Sequence, residues 1–350
     1  MEKKVVCYSP YKNIENKYID ISKKAIAENG YLVLPINLKN ILKCKVVFLN
    51  WEEKLPKNKL VFAYLKKRIK LFLFSILRRK YIITFHNRKP HDSTDNSLQK
   101  KIIKKYYKKA YKIIVLSKDS KKYLSEIDND YDFENKIYYI PHPNYINVYS
   151  SNKIKERTNH NILNLMFFGM IKPYKNIELL IKLASEFQNE PIVFKIVGNC
   201  TDEKYKTHIT DLCGKYNNID LECRFIEDDE IADFMYLCDA LILPYNISSS
   251  MNSGTIILAF SYKKTVICPN ISTIKDFDKS NIYFYDYINN NDHYQKLKTS
   301  VEIILNDFKK DKTIIYDKGI NLYDEVSKNN SYELVKGKYQ KLLEALENEK

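Results

Sequence analysis

The sequence predicts an α/β protein built from two doubly wound domains. Three observations carry that expectation. The chain has 350 residues, a length suited to two domains with cores of their own. Short apolar runs alternate with helix-like runs in two successive series. A polar stretch without apolar period, NVYSSNKIKERTNHN (147–161), separates the two series and reads as a linker. Strands that alternate with helices imply parallel sheets covered on both faces. The expected division is a first domain over 1–150, a second over 151–330, and a terminal helix over 331–350. The two domains are expected to face a cleft, with ligands at the carboxyl ends of the strands.

In the first series, KVVCYS (4–9) reads as a strand and YIDISKKAIAENG (18–30) as a helix closed by Gly30. Further strands are expected at YLVLPIN, at 45–51, 81–87, 112–117 and 136–142, with a very basic helix over 98–112. The second series places strands at 164–169, 192–198, 219–225, 240–245, 265–270 and 281–286. Helices are expected at 176–187 and 230–239, and SYELVKGKYQKLLEALENEK (331–350) closes the chain as a long helix.

Charge is distributed unevenly. Residues 1–150 carry a net charge of +18, whereas 151–350 carry −3. An anionic partner for the first half is implied, either a membrane surface or a nucleic acid. No segment reaches 18 consecutive apolar residues, so no simple helix spans a bilayer. The stretch LVFAYLKKRIKLFLFSILRRK (60–80) is apolar but interrupted and closed by Lys and Arg. Such a helix lies on a membrane or packs on the core with its lysines in solvent. The seven cysteines are scattered, with no CxxC and no metal-ligand spacing. Structural zinc is therefore not expected, and the thiols read as small buried hydrophobes in a reducing cytosol.

Glycine is scarce, seven in the whole chain, which makes the position of each informative. Gly169 and Gly198 each follow a strand-like run, and Gly254 opens a helix-like run. Glycine permits sharp turns and close approach to a ligand, and a helix start presents N–H groups to a phosphate. Around them, FFGMIKPYKN supplies Lys172 and Lys175, which together could neutralise a diphosphate. In LILPYNISSSMNSGTIILAF, Ser253, Gly254 and Thr255 form either an anion cradle or an ordinary helix cap. In the first half, TFHNRKPHDS places His86, Asn87, His91 and Asp92 beside Arg88 and Lys89 at a strand end. YYIPHPNY places His142 near the domain junction. These histidines have acid–base capacity, although a lone histidine is more often structural, and Asp92 is equally suited to capping a turn.

At these residues the chain resembles bacterial glycosyltransferases of the GT-B fold, group 1 or family 4-like, in a subgroup that builds surface polysaccharides. FFGMIKPYKNIELLIKLA and residues 225–270 resemble the family's donor-binding segments. FLNWEE (48–53), TFHNRKPHD and IPHPNY resemble its acceptor side. The resemblance implies transfer of a hexose from a nucleotide-diphosphate sugar to a saccharide, often lipid-linked, acceptor. The donor would be bound by Gly169, Lys172, Lys175, Gly198, Ser253, Gly254 and Thr255. His86 would face the transferred sugar, with His91 and Asp92 as further catalytic candidates, and Asn87 and His142 would line the acceptor side. Neither cofactor nor metal is expected, and the enzyme is expected to be cytoplasmic, peripheral at the inner face of the plasma membrane. The chain departs from the family at Met170, where many members carry arginine. The familiar pair of glutamates is replaced by Ser250 and Leu258, so the ribose contact and the retaining or inverting outcome are not given by the resemblance. Two alternatives differ in class. A nucleic-acid-binding protein would use the basic half, but no nucleic-acid motif is visible, and none is expected as a partner. A nucleotide-sugar epimerase on the same scaffold would need no acceptor.

Overall fold

A computed structural model describes residues 4–12, 17–52, 60–88, 97–150 and 161–348. The chain divides into two compact units. One comprises Met1–Pro143 with Asn329–Lys350, the other Asn144–Lys328.

The first unit holds β1 (Lys4–Ser9), α1 (Tyr18–Glu28), β2 (Tyr31–Pro35), α2 (Leu38–Lys43), β3 (Val46–Asn50), α3 (Leu60–Ile76), β4 (Lys80–Phe85), α4 (Ser97–Lys109), β5 (Lys112–Val115) and β6 (Ile137–Tyr139). Its six strands are all parallel, in the order β2-β1-β3-β4-β5-β6. The direction of winding reverses between β1 and β3. Val46–Asn50 is buried along its whole length, as expected for a strand covered on both faces.

The second unit holds β7 (Leu163–Phe168), α5 (Ile177–Ser185), β8 (Ile192–Val197), α6 (Glu203–Cys213), β9 (Ile219–Glu222), α7 (Asp228–Leu237), β10 (Ala240–Ile242), α8 (Gly254–Ser261), β11 (Thr265–Pro269), β12 (Tyr283–Tyr285), α9 (Asn290–Lys310) and α10 (Thr313–Asn329). Its parallel sheet runs β12-β11-β10-β7-β8-β9. Here the order reverses between β7 and β10, which opens a crevice at their carboxyl ends. The last helix, α11 (Tyr332–Asn348), returns to the first unit. Its Val335, Tyr339, Leu342, Leu343 and Leu346 join a core with Val6, Ile19, Ile26 and Phe48.

All seven cysteines are free, six of them buried and Cys223 half-buried. Among the described residues no helix is long and apolar enough to cross a membrane. The central part of the 147–161 linker lies outside the described residues.

The helix expected over 60–80 forms as Leu60–Ile76 and packs on the core, as one of its two sequence readings had it. Leu71 and Phe74 pack inward. So do two of its cations. Lys67 donates to Glu52 Oε2 at 2.7 Å and Lys70 pairs with Oε1. Glu52 is only 7% exposed. Burial acts to raise its pKa, but Lys70 and Lys67 outweigh that and hold it below the usual carboxylate range. These two lysines are therefore not free for an external anion, contrary to the reading that placed all the basic residues of this stretch outward. In α4, Lys104 and Lys108 are likewise engaged, both with Asp128. The opposite face of α3 is apolar and exposed. Phe62, Leu65, Ile69, Phe72 and Ile76 recur at three- and four-residue spacing and are 49–68% exposed.

Candidate active site

The second unit builds its site at the sheet's switch point. β7 ends at Phe168 and Gly169 turns the chain at φ +133°. β8 ends beside it, and Gly198 adopts φ +149°. A Cβ on Gly198 would lie 1.9 Å from the Gly169 carbonyl oxygen, so the two strand ends meet only because residue 198 has no side chain. Gly169 N–H donates to Val197 O and Ile171 N–H to Asn199 O, which fixes the two loops to each other. A Cβ on Gly169 would meet Thr255 Oγ1 at 3.8 Å. The turn after β7 therefore faces the start of α8.

Lys172 is the N-cap and Lys175 the last residue of a single 3₁₀ turn, Pro173–Lys175. Asn176 closes it in the left-handed region at φ 57°, and its Nδ2 donates to Pro244 O at 2.8 Å. That bond ties the lysine loop to the chain following β10, across the switch point. Lys175 is half-buried, with its Nζ 4.3 Å from the ring centroid of Tyr245, a cation–π arrangement. Its ammonium makes no ion pair among the described residues. Burial, and secondarily Lys172, pull its pKa down to about 8. A charge held at this depth is ready to gain from a bound anion.

Tyr245 is buried, and its hydroxyl lies 3.0 Å from Ser253 Oγ. Ser253 is the N-cap of α8, accepting from Ile256 N–H at 3.3 Å, while its own N–H donates to Thr273 Oγ1. The Ser253 hydroxyl is thus occupied as a cap. The groups left to meet an anion are the N–H groups of Gly254 and Thr255, in the first turn where a helix supplies no acceptor, and the positive end of the helix dipole.

The first unit brings together a separate cluster at the carboxyl ends of its own strands. His86 follows β4, is buried, and places Nε2 2.9 Å from Asn50 Oδ1 at the end of β3. Asn50 Nδ2 donates to Ser9 O at 3.2 Å, which turns Oδ1 toward the imidazole. Nε2 is then the protonated nitrogen, and the basic lone pair of the neutral ring lies on Nδ1. Trp51 stacks on His86 with centroids 4.3 Å apart at 19°. Tyr18 meets the ring edge-on at 5.2 Å. Trp51 has φ 52°, a strained conformation for an aromatic residue and one that clusters at functional sites. Tyr18 also contacts His142 at 5.2 Å. His142 is buried, its pKa pushed down to about 4 by desolvation, with Nδ1 2.9 Å from Pro143 O. It is a neutral, fixed ring at neutral pH.

Asn87 follows His86 and is half-buried. Arg88 is engaged by Glu126 through both carboxylate oxygens. His91 and Asp92 lie outside the described residues. No cluster of three or more metal-ligating side chains occurs among the described residues. Tyr18 and Tyr245 were given no role by the sequence reading, and Asn50 and Trp51 entered it only as part of FLNWEE, without a role of their own. Trp51 carried one available signal, being the single tryptophan of the chain, placed at a strand end.

Comparison with known proteins agrees with this architecture. No family model matches the chain. Anabaena HepE, crystallised with UDP-glucose, superposes with a TM-score of 0.74 at 11% identity, covering 98% of this chain and 100% of that one. Sucrose-phosphate synthase from Thermosynechococcus elongatus superposes at 0.76 with 12% identity over both full lengths. The chain has the GT-B fold. In sequence, 105 residues are 30% identical to a GDP-mannose:glycolipid 4-beta-D-mannosyltransferase of Xanthomonas campestris pv. campestris. That match spans 30% of this chain and 30% of the mannosyltransferase. The sheet of each unit is parallel and doubly wound, and the glycine turns and lysines just described lie at the switch point of the second.

Proposed function

We propose that this protein is a glycosyltransferase that moves a hexose from a nucleotide-diphosphate sugar to a saccharide acceptor carried on a lipid. The observation that carries the reading is Lys175, a half-buried cation with no ion-pair partner among the described residues, at the switch point of the second sheet. Its surroundings suit a diphosphate. Lys172 adds a second charge, Gly169 and Gly198 let the backbone come close, and the first-turn N–H groups of α8 supply donors. As the glycosidic C–O bond breaks, negative charge grows on the leaving diphosphate. Preorganised ammonium and amide groups stabilise that charge without calling on a divalent ion.

In the first unit His86 is the candidate to accept the acceptor hydroxyl's proton or to orient that hydroxyl. Asn50 fixes its tautomer and Trp51 and Tyr18 fix its plane. The mannosyltransferase similarity supports a glycolipid acceptor. An acceptor on a lipid would be met at a membrane surface, and α3 suits that surface. Its exposed apolar stripe would enter the interface, with Lys66 and Arg68 among anionic headgroups. The protein would work as a peripheral enzyme on the cytoplasmic leaflet.

A thermal-shift screen over UDP-, GDP-, CMP- and dTDP-sugars tests the donor class. A ligand at 100 times its dissociation constant stabilises by about 2.7 kcal/mol. One nucleotide family should raise the unfolding temperature of wild type and not of Lys175→Ala. Absence of any shift would remove the reading.

A further inference from the structure

The first unit has a second concave feature at the other end of its sheet. A cavity of about 1180 Å³ opens beside the amino ends of β1, β2, β3 and β4. A strand's length, roughly 15 Å, separates it from Asn50 and His86. Among the described residues six cations line it: Lys4, Lys43, Lys45, Arg78, Arg79 and Lys80. Among the described residues Glu347 is the one carboxylate in the lining, and it is already engaged by Lys4 and Tyr31. Lys43, Lys45, Arg78 and Arg79 make no ion pair among the described residues. Surface lysines alone would mean little in a chain this basic, but the arginines are held in a particular way.

α3 ends in a Schellman closure, with Arg79 N–H donating to Phe74 O and Arg78 N–H to Ser75 O. The position that closes such a turn favours glycine, yet Arg78 occupies it at φ 51°, at a conformational cost. The turn delivers both guanidinium groups to the cavity. Arg79 Nη2 donates to Leu42 O at 3.0 Å, which fixes the fork, while its Nε is buried and finds no acceptor among the described residues. A buried donor without an acceptor is unusual in a folded protein. Leu77, Val46, Leu343 and Leu346 give the cavity an apolar wall facing the cations.

We propose that this cavity binds a phosphate-bearing anion of two or more charges whose attached moiety lies on the apolar wall. The arginines would take phosphate oxygens through their forked donors, with Lys43 and Lys45 closing over the same group. Such an anion could be a soluble phosphate compound or the headgroup of an anionic lipid. The inference does not rest on the donor site of the second unit.

The test uses the full chain carrying Lys172→Ala and Lys175→Ala, so that the donor loop does not contribute. Calorimetric titrations are run at pH 8 with inorganic diphosphate and with dihexanoyl phosphatidic acid, a phosphomonoester of two charges, below its micelle concentration. Binding of either probe at one equivalent is expected, weakened about 10- to 100-fold by Arg79→Gln. The exposed pair Lys43→Gln/Lys45→Gln, which leaves the Leu42 contact intact, is expected to weaken it as well. Diphosphate binding alone identifies a soluble ligand, and competition between the two probes identifies a lipid headgroup. No binding of either probe, or binding unchanged in both sets of variants, overturns the proposal.

Discussion

Lys175 is the residue whose chemistry is most exposed to experiment. Its pKa of about 8 means that part of the population is neutral in mildly alkaline solution. A bound diphosphate favours the charged form and raises that pKa, so binding takes up protons at pH 8–9. The affinity for the nucleoside diphosphate should therefore fall as pH rises from 7 to 9.5. Calorimetry in buffers of different ionisation enthalpy should detect the uptake, and Lys175→Ala should abolish it. A pH-independent affinity would detach Lys175 from the diphosphate. His86 calls for the opposite signature. Because it belongs to the other unit, His86→Ala should leave donor affinity nearly unchanged and lower turnover by about 10²–10⁴-fold. Steady-state kinetics with separate donor titration makes the distinction, and wild-type turnover in this variant would leave the imidazole a purely packing role against Trp51.

At the scale of elements, α3 carries a prediction of its own. Its stripe of Phe62, Leu65, Ile69, Phe72 and Ile76 lies on the face opposite Leu71 and Phe74. The full chain should bind anionic liposomes and not neutral ones, less so at high salt. Ile69→Glu/Phe72→Glu should weaken that binding without lowering the unfolding temperature, since both side chains are already in solvent. Equal partitioning onto neutral vesicles, or no partitioning at all, would contradict it. The same element shows where sequence reading stops. Lys67 and Lys70 look identical to Lys66 along the chain, and only Glu52 at the far end of β3 turns them inward. The parallel strands were legible because burial on both faces makes them continuous apolar runs, from Val46–Asn50 to Thr265–Pro269. The long helices α9 and α10 were not delimited, because no strong breaker or glycine cap separates their polar, weakly periodic stretch. That Gly169, Lys172, Lys175, Gly198 and the 253–255 turn lie at strand ends and a helix start was legible from residue type and spacing. The part of Tyr245, Trp51 and Tyr18 was not, because it depends on ring contacts that only the tertiary fold creates.

On the scale of the whole molecule, each unit buries a neutral histidine. His142 in the first and His293 in the second are both held at a pKa of about 4 by desolvation, against 6.5 for a free imidazole. Between those values the unfolded chain binds a proton that the folded chain refuses, so stability rises with pH there. Each contribution is present in full above pH 6.5 and is lost as pH falls toward 4, at most about 3 kcal/mol apiece. Denaturant titrations between pH 4 and 7 should show this slope, and His142→Asn or His293→Asn should each remove about one proton's worth of it. An unchanged slope in both variants would mean that carboxylates alone set the acid limit.

The central claim is that the protein is a sugar transferase whose leaving group is held by Lys172 and Lys175. The most direct measurement is release of nucleoside diphosphate from GDP-mannose and UDP-glucose by the full chain, with and without a glycolipid acceptor on anionic vesicles. Acceptor-dependent release from one of the two donors is predicted, together with a saccharide product longer by one hexose, and loss of both in Lys172→Ala/Lys175→Ala. Release that ignores the acceptor, or transfer that survives removal of both lysines, would contradict the account.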